Sequence, residues 1–327
     1  MELRMKKKFE VDGEKRKTYL KNNPRERSKL IFYLCLIALP VLQVCIFYIY
    51  VNFNSFILAF KNYSYNTDTL GYKVTFAGFQ NFVEAWEIFS GNSYMILNSF
   101  YLFLTTTVLG LTLALIFSFY IYKGYRGSSV FRVMLFMPQI ISSIIFATLF
   151  KYIVTDVYKV IAEKLIGEMP LEGLLSNPST KFITILFYNL WISFGVNMIL
   201  FSGAMSGIDQ SIVESCRLDG ANLVKEFWYI TIPSIFGTLT TFIIVGLAGI
   251  FTNQMNLYDL YGINALDVAS FGYYLYVQAA ASDVISTMPG TPSYSVLSAL
   301  GIILTCIIFP VVTLLKKLLL KFGPSTD

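Results

Sequence analysis

The sequence predicts an all-α, polytopic membrane protein with six transmembrane helices. Three observations lead to this prediction: the composition, six long uncharged stretches, and the placement of the basic residues. Of the 327 residues, 55% are hydrophobic and 14% are charged. A soluble domain contains about a quarter charged residues and under half apolar ones. The low charge content therefore indicates a chain whose main solvent is lipid.

Six apolar stretches are each long enough to cross a bilayer. A helix needs about 20 residues to span a hydrocarbon core about 30 Å thick. The stretches cover residues 30–51, 94–122, 131–150, 182–204, 234–257 and 294–315. Arg132, at the edge of the third stretch, is the one charged residue within them. The first stretch is too long for the apolar region of a signal peptide, and we expect it to remain as an anchor.

The basic residues predict which side of the membrane each end of the chain faces. Residues 1–29 contain eleven Lys and Arg residues, whereas residues 258–293 contain none. Cytoplasmic segments carry the Lys and Arg excess, so we expect a multi-pass protein of the plasma or inner membrane with both termini in the cytoplasm. Segments 52–93, 151–181 and 258–293 then face outward. The loop 205–233 faces the cytoplasm, as the even number of spans requires.

The expected organisation is a basic cytoplasmic arm (1–29), a transmembrane domain (30–318) and a short cytoplasmic tail (319–327). The net charge of +5 arises almost entirely from the arm. Binding of nucleic acid is one interpretation of such an arm. We favour a topology signal that touches anionic lipid beside the first helix, and so expect lipid contact and no nucleic-acid partner.

The outward segments are expected to be partly ordered. Segment 52–93 is rich in Tyr, Phe and Asn, which suit the membrane interface and predict a short ordered cap. Pro170, Asn177 and Pro178 are expected to end helices. The run 265–282 is compatible with a short interfacial helix.

Three prolines, Pro40, Pro138 and Pro310, fall inside the predicted spans. In lipid, the backbone group that a proline leaves unpaired must be satisfied by neighbouring groups. The prolines are therefore compatible with kinks around a pathway. Ordinary helix packing explains them equally well, because proline is commoner in membrane helices than in soluble ones.

The chain lacks groups that would supply energy or covalent chemistry. A proton relay within the membrane needs Asp, Glu or His, but the sequence has no histidine and the predicted spans contain no carboxylate. A phosphate-binding P-loop needs Gly-Lys before Ser or Thr, and that dipeptide does not occur. No cluster has metal-ligand spacing, and a Ser-His-Asp set requires histidine. We expect no enzyme activity and no bound cofactor, with any energy supplied by a partner.

The cytoplasmic loop has the spacing of a helix–turn–helix. Asp209 is a plausible N-cap for a first short helix. Gly220 lies where that helix must end, as a glycine C-cap does. A second short helix follows, and Pro233 is expected to start the next span, where a missing N–H costs little.

The second helix of this loop carries Phe227 and Trp228, which predict an exposed apolar and aromatic ridge. The residues expected to flank the ridge are Glu214, Asp219, Lys225 and Glu226. Such a ridge suits a groove on another protein. A linker whose amphipathic helix rests on lipid is an equally good interpretation of the residues alone.

The loop resembles the EAA loop of binding-protein-dependent ABC importer permeases. The similarity lies in Glu214-Ser215-Cys216, Asp219-Gly220-Ala221, Phe227, Ile230 and Ile232-Pro233. In that family the loop forms the coupling helices that dock into the ATPase subunit. Ser215 and Cys216 stand where the family has two alanines, and both are small. The Asp-Gly-Ala form with the following Phe and Ile-x-Pro is typical of the sugar, or maltose-type, branch.

Weaker similarities occur in the family's order along the chain. They are Phe76 to Phe82, Asn98-Ser99, Phe131-Arg132 with Met137-Pro138, and Tyr294 to Gly301. One departure is Tyr261-Gly262-Ile263-Asn264, where the family often has Gly-Gly-Pro after the fifth span. This departure resembles a subgroup of permeases linked to complex glycans and leaves the substrate class open.

The resemblance implies the type I permease fold of ABC importers and a particular assembly. The implied partners are a second permease subunit of different sequence, two ATPase subunits that bind ATP and Mg, and an extracellular substrate-binding protein. The implied mechanism is alternating access by rigid-body rocking. The residues that would couple to the ATPase are Glu214, Ser215, Cys216, Asp219, Gly220, Ala221 and Phe227.

Polar and aromatic residues in spans four and five are the candidates for a substrate pathway. They are Asn189, Trp191, Asn197, Asn253, Gln254 and Asn256. A sugar needs hydrogen-bond partners and flat aromatic faces, and polar groups in lipid generally face the bundle interior. Their alternative role is interhelical hydrogen bonding, worth about 0.6 kcal/mol each on average.

Other functions stay open beside a carbohydrate importer. The chain is also compatible with a permease for a non-sugar solute, an ATP-independent facilitator or channel, or a membrane scaffold or enzyme subunit. The loop discriminates among these functions, because a facilitator that works alone needs no docking ridge.

Overall fold

The computed structural model describes residues 24–66, 71–167, 170–281 and 292–324. The chain divides into two units, residues 1–58 and 59–327. Residues 1–23 of the predicted basic arm, and the end of the tail at 325–327, lie outside the described residues.

The described part of the first unit is one helical stretch. Its segments are Pro24–Gln43, the π-helical Val44–Tyr50, and Val51–Leu58. Residues Ser28–Leu58 are long and apolar enough to span a membrane, with a mean hydropathy of 2.6. The first predicted span is confirmed and continues beyond its predicted end at residue 51, and Pro40 lies inside it without ending the helix.

Three continuous spans belong to the second unit. They are Ser93–Tyr122, Pro178–Ser206 and Tyr294–Phe322, which we call spans two, four and six. Span two is composed of Ser93–Phe103, a π-helical stretch Leu104–Leu109, and Gly110–Tyr122. These three predicted spans are confirmed, and span six continues to Phe322, past the predicted start of the tail at residue 319.

Asn177 and Pro178 begin span four instead of ending a helix, so that prediction was wrong. The Asn177 side chain accepts a hydrogen bond from the Ser179 N–H at 2.9 Å. Pro178 occupies the first helical position, where its fixed φ suits the helix and its missing N–H has no intrahelical partner in any case.

Span three is broken, and span five is bent away from the helical segment before it. Span three consists of Ser128–Ile140 and Ser143–Leu165, bent by 106°. Span five is Phe236–Ala248, and it meets the preceding segment Leu223–Ser234 at a bend of 71°. The continuous span predicted at 131–150 was therefore wrong in form, whereas the span predicted at 234–257 is present as Phe236–Ala248 and ends nine residues earlier than predicted. Within the described residues there are four continuous spans, or six if each bent pair counts as one.

Local backbone conformation explains the break and the bend. In span three, Ile141 is extended, three residues after Pro138, and the helix resumes as Ser143–Tyr152, π-helical Ile153–Val157, and Tyr158–Ile166. Before span five, Ile235 leaves helical geometry at φ −103°. Pro233 lies in the last turn before that bend, so the expectation that it starts the membrane helix was wrong.

The segment after residue 58 forms the predicted ordered cap. Strands β1 (Lys61–Asn66) and β2 (Gly71–Phe76) pair antiparallel, with Lys61 opposite Phe76. A helix follows at Gln80–Gly91. The Asn81 side chain donates to the Ala59 and Lys61 carbonyls at 2.8 and 3.0 Å, which fixes the strand against the helix. The two short strands are the departure from an all-helical fold.

The segment between spans five and six also contains short helices. They are Leu257–Tyr261, the 3₁₀ turn Leu266–Val268, and Phe271–Ala281. The last confirms the short helix predicted within 265–282. Residues 282–291 lie outside the described residues.

Two apolar clusters hold the second unit together. The larger contains Tyr188, Met255, Phe271 and Tyr273, all fully buried. The smaller joins span two, span four and the loop after span four through Leu111, Ala114, Ile121, Phe194, Met198, Phe201, Met205, Ile208, Val213 and Ile235. Because lipid is as apolar as these side chains, close packing and hydrogen bonds hold such helices together.

Candidate functional site

The loop after span four begins with the predicted N-cap. Asp209 Oδ1 accepts a hydrogen bond from the Ser211 N–H at 2.9 Å, at the start of the helix Gln210–Leu218. This bond from the backbone stabilises the carboxylate and lowers the pKa of Asp209. The helix start that the sequence predicted is confirmed.

The turn between the two loop helices depends on Gly220. Its φ is +75°, a left-handed conformation that glycine adopts without steric cost. The Gly220 N–H bonds the Arg217 carbonyl at 3.0 Å, and the Ala221 N–H bonds the Cys216 carbonyl at 3.2 Å. This pair of bonds is a Schellman motif and confirms the predicted glycine C-cap.

The second loop helix starts at its own cap. Asn222 Oδ1 accepts from the Lys225 N–H at 2.9 Å. The helix runs through Leu223–Glu226, π-helical Phe227–Thr231, and Ile232–Ser234. The loop is therefore a capped helix–turn–helix, as the sequence predicted.

The predicted coupling residues differ in exposure. Glu214, Ser215, Asp219 and Gly220 are exposed, whereas Cys216, Ala221 and Phe227 are half-buried. The Phe227 ring packs edge-on against Phe119 of span two, with ring centroids 5.0 Å apart. Phe227 therefore faces its own bundle.

Other apolar side chains form the exposed surface of the loop, which we call the loop ridge. The loop ridge consists of Ile212, Leu218, Leu223, Val224, Trp228 and Tyr229. Glu226 was expected to flank such a ridge in water, but its side chain is 1% exposed and pairs with Lys123 at the end of span two. Nothing in the sequence pattern of the loop distinguishes this glutamate from its exposed neighbours.

A cavity of about 230 Å³ lies between spans two, four and five. Its lining includes four of the six predicted pathway residues: Asn189, Asn197, Asn253 and Asn256. A second cavity of about 360 Å³ shares Thr106, Thr107, Val245, Gly246 and Asn253 with it. The two cavities therefore adjoin, and their walls carry amide and hydroxyl groups among apolar side chains.

Asn189 connects span four to the residues after span five. Its Nδ2 atom donates to the Ile185 and Met255 carbonyls at 2.9 and 2.8 Å, and its Oδ1 atom accepts from Asn256 Nδ2 at 2.8 Å. Asn253 Oδ1 accepts from the Met255 N–H at 2.9 Å. The amide of Asn189 is thus occupied by protein groups, whereas no hydrogen bond engages the Asn197 side chain within the described part of the chain.

Two predicted pathway residues lie elsewhere. Trp191 packs edge-on against Phe146 of span three at 5.2 Å between ring centroids, and also contacts Phe150 and Phe187. Gln254 is half-buried and lines neither cavity. The structure does not bring these two side chains to the asparagine cluster.

Sequence reasoning missed the contribution of span two. Thr106, Thr107 and Gly246 line both cavities, and Ser193 lines the smaller one. A methyl group on Gly246 would overlap the Thr107 side chain, so glycine is required by this close approach. Three consecutive threonines, Thr105 to Thr107, in an otherwise apolar span were the signal that could have identified this wall.

The described residues contain no group of three or more His, Cys, Asp or Glu side chains that could hold a metal ion. The geometry defines two sites. One is a neutral polar cavity between the helices, and the other is the capped helical loop after span four. Together they define a polytopic helical transport protein.

A family model described as "Binding-protein-dependent transport system inner membrane component" matches residues 106–321. The match covers more than half of the chain, and the chain belongs to this family. It is a multi-pass membrane protein and the permease subunit of an ABC importer, a class in which a separate subunit hydrolyses ATP.

Relatives and a solved structure agree with this assignment. The chain is 27% identical over 248 residues to "Probable ABC transporter permease protein YurN" of Bacillus subtilis (strain 168), covering 72% of this chain and 80% of that protein. It is 30% identical over 151 residues to "Maltose/maltodextrin transport system permease protein MalF" of Vibrio parahaemolyticus serotype O3:K6 (strain RIMD 2210633), covering 45% of this chain and 28% of that protein.

The solved structure is described as "Crystal structure of a bacterial ABC transporter involved in the import of the acidic polysaccharide alginate". One of its chains superposes with a TM-score of 0.68 at 18% identity, covering 90% of this chain and 97% of that chain. This likeness shows a shared fold and confirms the fold implied by the resemblance of the loop.

Proposed function

We propose that this permease imports a carbohydrate, an oligosaccharide or glycan fragment, delivered by an extracellular binding protein. Two partner ATPase subunits, which would hold ATP and Mg, dock on the loop and drive alternating access of the cavity. A second permease subunit of different sequence completes the pathway. The chain itself moves the solute without covalent chemistry.

The main support for this proposal is the exposed apolar surface of the loop. Two capped helices meet at Gly220 and present the loop ridge, in which Leu218 is 89% exposed and Trp228 is 60% exposed. Apolar side chains on a rigid helical hairpin suit a groove on a partner protein. Glu214, Ser215 and Asp219 lie exposed on the same hairpin, where they are available to polar groups of that groove.

The cavity supports a hydroxyl-rich solute. Asn197 and Asn253 supply amide groups, which donate and accept hydrogen bonds. The Thr106 and Ser193 hydroxyls donate to backbone carbonyls of their own helices, so their oxygens can accept from a solute. A few polar groups within an apolar wall are typical of small-molecule sites. The names of two similar proteins, a maltose/maltodextrin permease and an alginate importer, point to the same solute class.

Charge supports the orientation of the termini. Ten Lys and Arg residues precede the first span, and Lys316, Lys317 and Lys321 lie in the last part of span six. Basic residues are retained on the cytoplasmic side. With both termini inside, the loop after span four faces the cytoplasm, where the ATPase would be.

The substitution Gly220→Pro tests the proposal. Proline fixes φ near −65° and cannot adopt the +75° of Gly220, so the turn between the loop helices must change. We expect the variant to insert into the membrane normally, to lose the ATPase during purification, and to lose ATP-driven uptake.

Gly167→Pro is the matched control, because Gly167 is also left-handed, at φ +83°, but ends the helix of span three. Uptake is measured with a panel of neutral and acidic oligosaccharides. Normal retention of the ATPase by Gly220→Pro would contradict the role of the loop, and uptake independent of ATP would contradict the importer mechanism.

A further inference from the structure

Three charged side chains meet where span two reaches the loop. Lys123 Nζ pairs with Glu226 Oε1, and Arg217 Nε lies 3.5 Å from Glu226 Oε2. Lys123 directly follows span two, Arg217 lies in the first loop helix, and Glu226 lies in the second. One carboxylate therefore joins three separate elements.

This cluster is buried at its centre and exposed at its edge. The side chains of Glu226 and Lys123 are 1% and 6% exposed, whereas that of Arg217 is 55% exposed. A buried charge is costly unless it is paired, and removal of one partner leaves the other charge uncompensated. The arrangement is therefore sensitive to the loss of either inner charge.

Aromatic side chains of span two enclose the lysine. Lys123 Nζ lies 5.2 Å from the ring centroid of Phe119 and 5.1 Å from that of Tyr122, within the range of cation–π attraction. Burial and, secondarily, the charge of Arg217 lower the pKa of Lys123. The ammonium therefore contacts two aromatic rings of its own span and the Glu226 carboxylate, and the two charged side chains hold each other in place.

Span two connects this cluster directly to the cavities. Thr107, which lines both cavities, lies sixteen positions before Lys123 in the chain. At a rise of 1.5 Å per residue the distance along the helix is about 24 Å. A displacement of the loop that is transmitted to Lys123 therefore reaches the cavity wall through one helix.

We propose that Glu226, through Lys123 and Arg217, is a positioning residue that fastens the loop to span two, so that movement of the loop moves the cavity wall. This inference rests on the proposed function, because it assumes that a partner moves the loop. None of the three residues belongs to the positions on which the resemblance of the loop is based. The role assigned to them is therefore additional to docking.

The test follows the reactivity of one cysteine in the cavity wall. Phe103→Cys, in the span-two wall of the larger cavity, is introduced after Cys35, Cys45 and Cys306 are replaced by serine. Labelling of residue 103 is read separately from that of Cys216 by mass spectrometry of peptides. The whole assembly, purified through this chain from its native membrane, is labelled with a membrane-impermeant maleimide, both without nucleotide and after trapping with ATP and vanadate. The substitutions Glu226→Gln and Lys123→Gln are each added to this background.

The background protein is expected to change its labelling rate by about fivefold or more between the two states, a typical size for coupling between sites. Glu226→Gln and Lys123→Gln should retain the ATPase but change by less than about twofold. Lys123→Arg, which keeps the charge, should respond like the background. Lys225→Gln is the matched control, because Lys225 is an exposed lysine beside Glu226.

Each outcome separates this inference from the proposed function. A full response in Glu226→Gln or Lys123→Gln would overturn the inference, as would equal losses in Lys123→Arg and Lys123→Gln. No response in the background protein would instead contradict the proposed function. If Glu226→Gln fails to insert, the variant Arg217→Gln is used instead, because Arg217 is half-exposed. A smaller change in its labelling rate than in the background protein supports the inference, and an equal change contradicts it.

Discussion

Asn189 Nδ2 donates a hydrogen bond to the backbone carbonyl of Met255, 2.8 Å away and 66 residues later in the chain. Met255 and Asn256 have φ values of +57° and +50°. A left-handed conformation costs a residue other than glycine about 1–2 kcal/mol, so two in succession need support. Asn189 supplies it by bonding both the Met255 carbonyl and the Asn256 side chain.

Replacement of Asn189 should therefore affect stability first. Asn189→Ala leaves the buried Met255 carbonyl without this donor and releases the strained turn. We expect the free energy of unfolding to fall by about 1–3 kcal/mol, the cost of an unsatisfied buried polar group. Thermal unfolding of the purified protein in detergent measures the change.

Gln254→Ala is the control for this prediction, because Gln254 is half-buried beside the same turn but lines neither cavity. Its midpoint of unfolding should match that of the unmodified chain. An unchanged midpoint in Asn189→Ala would show that the turn is held by other groups, such as the bond from Ser270 Oγ to the Asn253 carbonyl at 2.7 Å.

The contact between Gly246 and Thr107 predicts a size-compensation effect. A methyl group on Gly246 would overlap the Thr107 side chain, and overpacking of this kind costs about 1–3 kcal/mol. Gly246→Ala should therefore lower the midpoint of thermal unfolding and reduce uptake. The double substitution Gly246→Ala and Thr107→Ala removes the two overlapping atoms of Thr107 and leaves its Cβ 3.2 Å from the new methyl group, so it should restore most of the lost midpoint.

Gly203→Ala is a suitable control, because a methyl group there has no atom within 4 Å. If the double variant were as unstable as Gly246→Ala alone, the close approach of spans two and five would not be the reason for glycine at this position.

Local signals in the sequence predicted the loop well. Asp209, Gly220 and the helices between them follow from capping rules that depend only on neighbouring residues. The general rule that proline and asparagine end helices gave the wrong result at Asn177 and Pro178, because each residue is compatible with either end of a helix. The structure places the pair at a helix start, where the Asn177 side chain caps the Ser179 N–H.

Long-range packing could not be predicted in the same way. Glu226 and Lys123 are 103 positions apart, and Asn189 and Met255 are 66 positions apart. Hydropathy finds apolar length but does not register a bend, so the bend at Ile235 was missed. Pro138, one of three prolines compatible with a kink, lies three residues before the break at Ile141. The asparagines chosen in span four and after span five were useful candidates, because all four line one cavity. The opposite wall, on span two, could be identified only from the arrangement of the helices.

Acid should loosen the start of the first loop helix. The folded-state pKa of Asp209 is lowered by the hydrogen bond from the Ser211 N–H. The carboxylate therefore contributes stability above its unfolded pKa of about 4, and that contribution is lost as the pH falls through the lower folded pKa. Hydrogen–deuterium exchange of residues 210–216, corrected for intrinsic rates, should show less protection at pH 3 than at pH 6.

Asp209→Asn provides the comparison, since asparagine also caps helices but does not titrate in this range. Its protection should be the same at both pH values once global changes are subtracted. An equal acid loss in the two proteins would assign the effect to another group.

Asn197 should behave in the opposite way to Asn189. Both asparagines line the same cavity, but no hydrogen bond engages the Asn197 side chain within the described residues, so its amide is available to a solute. Asn197→Ala should leave the midpoint of unfolding unchanged. Loss of a hydrogen bond worth about 1.4 kcal/mol corresponds to about a tenfold weaker interaction, and we expect ATP-driven uptake at low concentration to fall accordingly.

The measurement uses an oligosaccharide that the unmodified assembly takes up, at concentrations below and above half-saturation. A solute contact predicts that uptake recovers as the concentration rises, because the substitution weakens binding and leaves the helix arrangement intact. A lower midpoint of unfolding, with uptake reduced equally at all concentrations, would instead make Asn197 a packing residue like Asn189. The cavity would then need another solute contact, and Thr106 on the opposite wall would be the residue to substitute next.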